Sequence, residues 1–450
     1  MAAWQGLKSS LPALLVIYAA TFGGMLSGLS TQGLQIASLL LILSVAAVSW
    51  RQTRFLPALI PLLAVVSGEV IAVIAPPYPG EGAQQVTLWL ALTAVFWLSS
   101  AVEPLRLERA VFASLAAMAL IALYQAASWW TLNRLALDLP PRLGGTLWNP
   151  NNLAAVMLAA MALAVKSRRW LWVLMFLSVL VLTGSVASMG AALAGATALA
   201  LFSLRPISLR RGALLAIALS ALLLAPLVVV QIARRTHNAL DQRLDLWRVA
   251  MLTFFEWPVS GIGPEGYAKA YTALGRLPHS AAYHHAHSVY LQVAAENGIV
   301  GLAALALILV IAVLRLKALF ERGEAHNAAV GTAFLVAMAL QGVLDYVYWV
   351  PSIVLIVLWT ARCIDRVPAG RVSPPHSVRE AAARYAPLVQ TILFGFVIFR
   401  ITAYLDHTLI ALARHTTALS TGLTCLLYIA IPATEQDVRE EVARRGSSRG

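Results

Sequence analysis

One polar stretch, opening at residue 233 and closing at His284-His285-Ala286-His287-Ser288, concentrates cations and bases. It holds Arg234, Arg235, Arg243, Arg248, Lys269 and Arg276 together with His237, His279, His284, His285 and His287. A neutral imidazole takes a proton from a hydroxyl, and nearby cations favour that neutral form by disfavouring a second positive charge. His287 begins the next apolar run, where a side chain meets both a lipid-borne substrate and a partner from water. It reads either as a general base or, with His284 and His285, as an interfacial polar residue at a helix entrance. Zinc fits less well, because His285 and His287 are two apart, a spacing suited to a strand, and no Cys or carboxylate completes a set.

Within the stretch, Arg243-Leu-Asp-Leu-Trp247 opens an amphipathic segment and Trp257-Pro-Val-Ser-Gly-Ile-Gly-Pro264 closes it with turn-forming residues. A compact, ordered loop is expected. Arg243 and Trp247 share a helical face, with Arg248 roughly 100° around the axis. Glu296 follows His287 by nine residues, roughly 13 Å further along a regular helix and on its opposite face, so it is not the partner that orients the histidine. An ionisable group at that depth faces the bundle interior, for function or for structural pairing. Asp345, beside Tyr346, is a candidate lining residue of the same cavity. An earlier segment, Arg142 to Asn152, carries two adjacent glycines, Pro150 and the asparagines Asn149, Asn151 and Asn152. It reads as a tight turn and helix cap, with Arg142 in reach of an anion.

These residues must be positioned by a membrane protein. The chain is 60% hydrophobic and 12% charged, which excludes a large soluble core. Its net charge of +13 does not point to nucleic acid, because most Lys and Arg sit in short breaks between apolar runs. Cys363 and Cys425 have no CxxC spacing, so neither a disulfide framework nor a metal site follows. A crossing needs about 20 apolar residues, and the runs fall near 11–28, 33–50, 55–75, 86–102, 110–131, 151–165, 170–184, 187–204, 212–232, 288–314, 327–348 and 350–364. The fold class is therefore all-α and polytopic, with about twelve transmembrane helices and a large loop, 233–286, between the ninth and tenth. Basic clusters at Arg51/Arg54, Arg106/Arg109, Lys166/Arg168/Arg169, Arg205/Arg210/Arg211 and Arg315/Lys317/Arg322 occupy every second break. Both ends of this 1–365 unit then face the cytoplasm and the 233–286 loop faces outward. The loop is the one basic cluster against that pattern, which points to a ligand or to an exposed loop that sheds charge into water. Residues 366–386 read as a basic cytoplasmic linker, 387–432 as two further apolar, membrane-associated helices, and 433–450 as a charged tail.

Arg243 with Trp247, Pro258 to Gly263, and His285-Ala-His287-Ser288 with Glu296, Gly298 and Gly301 resemble the signature of the bacterial O-antigen ligase and polymerase superfamily. The ligase pattern is a His followed by Ser, Asn or Gln, nine residues, Gly, two residues and Gly. His287, Ser288, Gly298 and Gly301 fit it, and Gly144 to Asn152 resembles the family's entrance to its membrane half, so that the resemblance covers about residues 130–350.

The resemblance implies a GT-C-like, metal-independent, inverting glycosyltransferase with no cofactor. It would move an O-antigen glycan from undecaprenyl diphosphate to the lipid A-core oligosaccharide at the periplasmic face of the bacterial inner membrane. Arg243 would stabilise the leaving diphosphate and His287 would act as general base, with Arg142, Arg248, Arg234, Arg235, His285, Asn149 and Glu296 as substrate contacts. One departure stands out: where members often carry Ser-Arg-Gly at the start of the eighth helix, this chain has Ser188-Met189-Gly190. A second phosphate contact then falls to Arg142, Arg248, Arg234 or Arg235. Rival activities are an O-antigen polymerase and a protein O-oligosaccharyltransferase of the same superfamily. A transporter is the alternative from another class, and it would show discontinuous helices in paired halves.

Overall fold

The computed structural model describes residues 12–17, 19–20, 59–74, 83–132, 142–147, 149–204, 238–275, 283–347 and 350–365. Its regular elements are helices: α1 (Leu59–Ile74), α2 (Ala83–Leu98), α3 (Pro104–Leu132), α4 (Pro150–Lys166), α5 (Trp170–Leu182), α6 (Val186–Leu204), α7 (Asn238–Glu256), α8 (Tyr267–Leu274), α9 (Val289–Glu321), α10 (Ala325–Leu344) and α11 (Pro351–Asp365). The expected runs at 33–50 and 212–232, the linker 366–386, the helices in 387–432 and the tail 433–450 lie outside the described residues. Among those described, α3, α6, α9 and α10 are long and apolar enough to cross a membrane, and α1, α2, α4 and α5 contain shorter apolar segments. Helix is the form such segments must take, since lipid offers no partner to an open N–H or C=O. Their hydroxyls follow the same rule: Ser114 donates to Ala110 O at 2.9 Å and Thr332 to Ala328 O at 2.8 Å.

α4 lies at the centre, apolar around most of its circumference, with Leu153 to Ala160 all buried. It packs on α5, α10 and α11, and its core extends through Phe112, Phe176 and Trp359. The most extensive helix pair is α6 with α10. Small residues make it so: Ala194 and Ala198 are buried there, and a Cβ on Gly195 would stand 3.0 Å from Ala333 O and 3.2 Å from Ala337 Cβ. Two backbones in lipid approach this closely to gain dispersion contacts, because apolar burial alone drives little association there.

The cross-links sort the bundle into two ends. At one, Arg362 Nη1 donates to Ser99 O at 2.9 Å, the His326 imidazole to Lys166 O at 3.2 Å, and Lys166 pairs with Glu108. Arg322 and Arg315 close the same end on Asp365 at 3.0 and 3.4 Å. At the other, Arg142 Nε donates to Thr183 O at 2.9 Å, Ser188 Oγ to Gln341 Oε1 at 2.9 Å, and His287 meets Asp345. The described basic turns thus gather at one end, and His284, His285 and His287 at the other.

α9 corrects the sequence reading twice. It runs on to Glu321, so Arg315 and Lys317 lie inside a helix and the connecting turn shrinks to the residues around Gly323. It is also not regular: Gly298, at φ 60° and ψ −150°, breaks it. An unbroken helix would bond Ile299 N to Ala295 O and Val300 N to Glu296 O. Here Ile299 N donates to Pro258 O at 2.8 Å and Val300 N to Val259 O at 3.4 Å, while Ile262 N donates to Ala295 O at 2.8 Å and Gly263 N to Glu296 O at 3.0 Å. The segment 258–263 therefore takes over both lost helical bonds, giving four bonds for two. Gly261, at φ 71°, meets the same place from the loop side. A Cβ on Gly298 would overlap the Val259 carbonyl group, and one on Gly261 that of Glu296.

Gly298→Ala and Gly261→Ala are expected to lower the thermal midpoint of the detergent-purified protein well below that of Gly323→Ala. At Gly323 φ is also positive, 77°, at a cost of roughly 1–2 kcal/mol for a non-glycine residue, but an added Cβ meets nothing within 4 Å. Equal midpoints for the three variants would refute the join.

Candidate active site

α7 and α8 fold the polar stretch into a small core of its own. Leu246, Val249, Ala250, Ile262, Tyr267, Ala270 and Tyr271 bury against Ala286 and Ala295 at the start of α9, with Trp247 and Trp257 alongside. Polar bonds lock it: Tyr267 Oη donates to Leu246 O at 2.8 Å and Tyr271 Oη to Asp245 Oδ2 at 3.2 Å. Arg248 belongs to this lock, its Nη1 donating to Leu274 O at 3.1 Å and lying 3.4 Å from Asp245 Oδ1. Arg243, one turn earlier, makes no hydrogen bond or ion pair among the described residues. The two arginines are thereby separated: one guanidinium holds the loop together and the other stays available.

The histidines enter α9 through a strained turn. His287 has φ 51°, in the left-handed region that a non-glycine residue seldom occupies. Two bonds hold that turn: Ala286 N donates to Gln292 Oε1 at 2.7 Å and Gln292 N to Ser288 O at 2.9 Å. The turn delivers the His287 ring to the end of α10, where its Nδ1 lies 3.1 Å from Asp345 Oδ1. The ring is 29% exposed and the carboxylate 6%, so the imidazole reaches solvent from a fixed base. Tyr346 N also donates to Asp345 Oδ1, at 2.8 Å. Burial alone would push the Asp345 carboxyl up; the His287 bond and charge and the Tyr346 N–H outweigh it and hold it below its ordinary value. An ionised carboxylate only accepts, so His287 Nδ1 carries the proton and Nε2 presents its lone pair. Asp345 Oδ2 and His285 Nδ1 are buried without a hydrogen-bond partner among the described residues.

The remaining expected residues divide by what holds them. His285 stands beside the base, ring centroids 4.2 Å apart at 72°, and 5.8 Å from the Tyr346 ring. Arg142 is exposed but engaged: besides Thr183 O, its Nη2 donates to Asn151 Oδ1 at 2.7 Å. Asn149 caps α4, its side chain accepting from Asn151 N at 2.8 Å with Pro150 in the first turn, so the helix-entrance reading holds for this segment. Glu296 is buried and its Oε1 accepts from Tyr267 N at 3.3 Å; it supports the loop and does not touch His287. Ser188 and Gln341 form the buried polar step beneath Asp345, whose own N–H donates to Gln341 O at 3.0 Å. Arg234 and Arg235 lie outside the described residues. Sequence reasoning missed Asp345 as the partner of His287. Its signal was a carboxylate at the end of an apolar run, 58 residues away.

Burial, chiefly, and the neighbouring His287 and His284 push the His285 imidazole down to about 4 from the usual 6.5, against an opposing pull from Asp345. Folding thus favours the neutral ring: between pH 6.5 and 4 the unfolded chain binds the extra proton, and stability is lost as pH falls through that window. The thermal midpoint is expected to drop from pH 6.5 to 4, and His285→Gln to flatten part of the drop. An unaltered slope in the variant would refute this environment.

Comparison with known families matches residues 152–306 to the O-antigen ligase family. No curated protein matches the chain. The matched region starts inside the first turn of α4, takes in α7, α8 and the histidine turn, and ends beyond the break at Gly298. This region, which contains both the candidate base and the join that seats the loop, is where the chain is similar to the O-antigen ligase family.

Proposed function

We propose that the protein is an O-antigen ligase that transfers a glycan from undecaprenyl diphosphate to a sugar of the lipid A-core, without a metal and with inversion. The His287–Asp345 pair carries this reading: a histidine oriented by a buried carboxylate, beside a loop with an uncommitted arginine. The proposal includes twelve spans in a GT-C-like arrangement, with loop 233–286 between the ninth and tenth. It also includes an orientation, since an end rich in Arg and Lys stays cytoplasmic and leaves the histidine end in the periplasm of the inner membrane.

In the reaction, the acceptor hydroxyl gives its proton to His287 Nε2 as its oxygen bonds to the anomeric carbon. The bond from that carbon to the diphosphate oxygen breaks, and the diphosphate leaves with the electron pair. Asp345 steadies the imidazolium that forms, and Arg243 offsets the charge on the departing diphosphate. Arg142 and Arg248 already hold protein oxygens, so the second phosphate contact is assigned to Arg234 or Arg235. His285 lines the acceptor side of the base. Holding two lipid-anchored substrates in register supplies much of the remaining acceleration.

Purified protein, a polyprenyl-diphosphate glycan, lipid A-core and excess EDTA are expected to yield laddered lipopolysaccharide on a gel. Lengthening of the polyprenyl-linked glycan without transfer would make the protein a polymerase, and no reaction with either acceptor would reopen a transport role. His287→Ala is expected to cost roughly 10²–10⁴-fold in turnover, the range of a lost general base. Arg243→Ala is expected to abolish transfer with the protein still folded in detergent. Asp345→Asn, which frees the tautomer of His287, is expected to cost about 10-fold or more; parent-like turnover would remove Asp345 from the mechanism.

A further inference from the structure

The loop that carries Arg243 is apolar on the side it turns away from the bundle. At about 100° per residue, Leu246, Val249, Ala250 and Thr253 fall on the buried face of α7, and Leu244, Met251 and Phe255 on the opposite one, within roughly 40° of each other. Leu252 flanks this row and Val259 extends it past the end of the helix; Phe255 is 69% exposed and Val259 64%. The nearby charges are turned aside. Arg248 lies close to the row, but its guanidinium reaches to Asp245 and Leu274 O, while Glu256 stands about 100° around the axis from Phe255 and Arg243 about 120°. A helix apolar on both sides is not built for water.

What covers this face follows from where it sits. α9 is 33 residues long, more than the ~20 that a crossing requires, and Gly298 divides it. Before the break, Val289, Gln292 and Ala294 to Asn297 are buried. After it, Ile299, Val310, Val313 and Leu314 form an exposed stripe on one side of the helix. At about 1.5 Å per residue, Ile299 stands about 33 Å from Glu321, and Leu344 about 29 Å from Ala325. α9 and α10 leave the same turn at Gly323, so Ile299 comes to the height at which α10 ends. The stripe therefore matches a hydrocarbon layer of about 30 Å and finishes at the join.

There Pro258 O and Val259 O accept from Ile299 N and Val300 N, which sets Val259 beside the last residue of the stripe, with Phe255 four residues before it. Ile71 and Ile74, exposed at the end of α1, flank the same level, because α1 packs on α9 with Gly68 facing Val300. Phe254 and Phe255, ring centroids 5.7 Å apart, and Trp257 supply aromatics, which favour the boundary between hydrocarbon and water. A surface that continues the exposed side of a span, at its outer limit and banded with aromatics, is met by lipid.

We propose that the outer face of α7, from Met251 to Val259, lies in the acyl region of the leaflet on the histidine side, so that the loop is held by the membrane as well as by α9. The surface is independent of the glycosyl-transfer reading, because it requires only that α9 spans the bilayer and uses neither the histidines nor Arg243.

The full chain in phosphatidylcholine liposomes, photolysed with an apolar diazirine confined to the bilayer, reads the contact without a substitution. Peptides containing Met251 to Val259 are expected to be labelled comparably to those containing Val310 to Leu314, and peptides of α8, where Thr272 is exposed, severalfold less. Nitroxides on Phe255→Cys, Val259→Cys and Thr272→Cys, in a Cys363→Ala/Cys425→Ala background, identify the occupant. The first two are expected to be reached by oxygen in preference to a water-soluble nickel chelate, as is a nitroxide on Val310→Cys, and the third by the chelate. Chelate access at Phe255 and Val259 means that water covers the face, and shielding from both probes means that another segment of this chain or a second copy does. Either result overturns the assignment, as does diazirine labelling of α9 without α7, the arm that decides should the cysteine variants not stay monodisperse. Chelate access at Val310 as well removes the span and the proposal with it.

Discussion

Breaking a helix in an apolar surrounding strands backbone groups that water would otherwise satisfy, and each stranded group costs several kcal/mol. The rest of this structure depends on how that cost is met at Gly298. Residues 258–263 supply two donors and two acceptors at the four positions the break opens. Neither partner is complete alone: α9 without the loop has open bonds, and the loop without the break has nothing to bond to. Loop and helix therefore form together, and everything the loop carries inherits the orientation of α9.

A second constraint comes from the opposite side of the site. His287 arrives on the loop side, at the entrance to α9, whereas Asp345 ends α10, whose depth is set by its close contact with α6 at Gly195 and Ala333. The pair joins two separately positioned units. The strain at His287 fits that role, because a relaxed helix entrance would carry its ring away from α10. Gln292 and Gln341 support the two sides, one beneath the histidine turn and the other one turn before the carboxylate.

Much of this was legible in the sequence because hydrophobic run length and basic breaks report directly on helices. Ten of the twelve expected runs fall wholly or partly among the described residues, and nine of these have a full helix close to the expected bounds. The Asn149 cap followed by Pro150 was equally readable, since its chemistry is local. Long-range pairing was not: no pattern within 327–348 says that Asp345 meets His287, because that depends on how α6, α9 and α10 pack. Glu296 was correctly separated from His287 on helical geometry, yet its bond to Tyr267 N depends on a loop path that the sequence does not specify. The break at Gly298 had a visible cue in Asn297-Gly298 inside an apolar run, but apolarity on both sides masked it.

Backbone hydrogen bonds are indifferent to the side chains that flank them. At the join between loop and span the glycines Gly261, Gly263 and Gly298 are restricted by positive φ, while a residue such as Val259, 64% exposed, contributes only its carbonyl. Two chains built on this join are thus free to diverge through most of the loop and still superpose there. The join is set by absent side chains, and the surface around it is left open to variation.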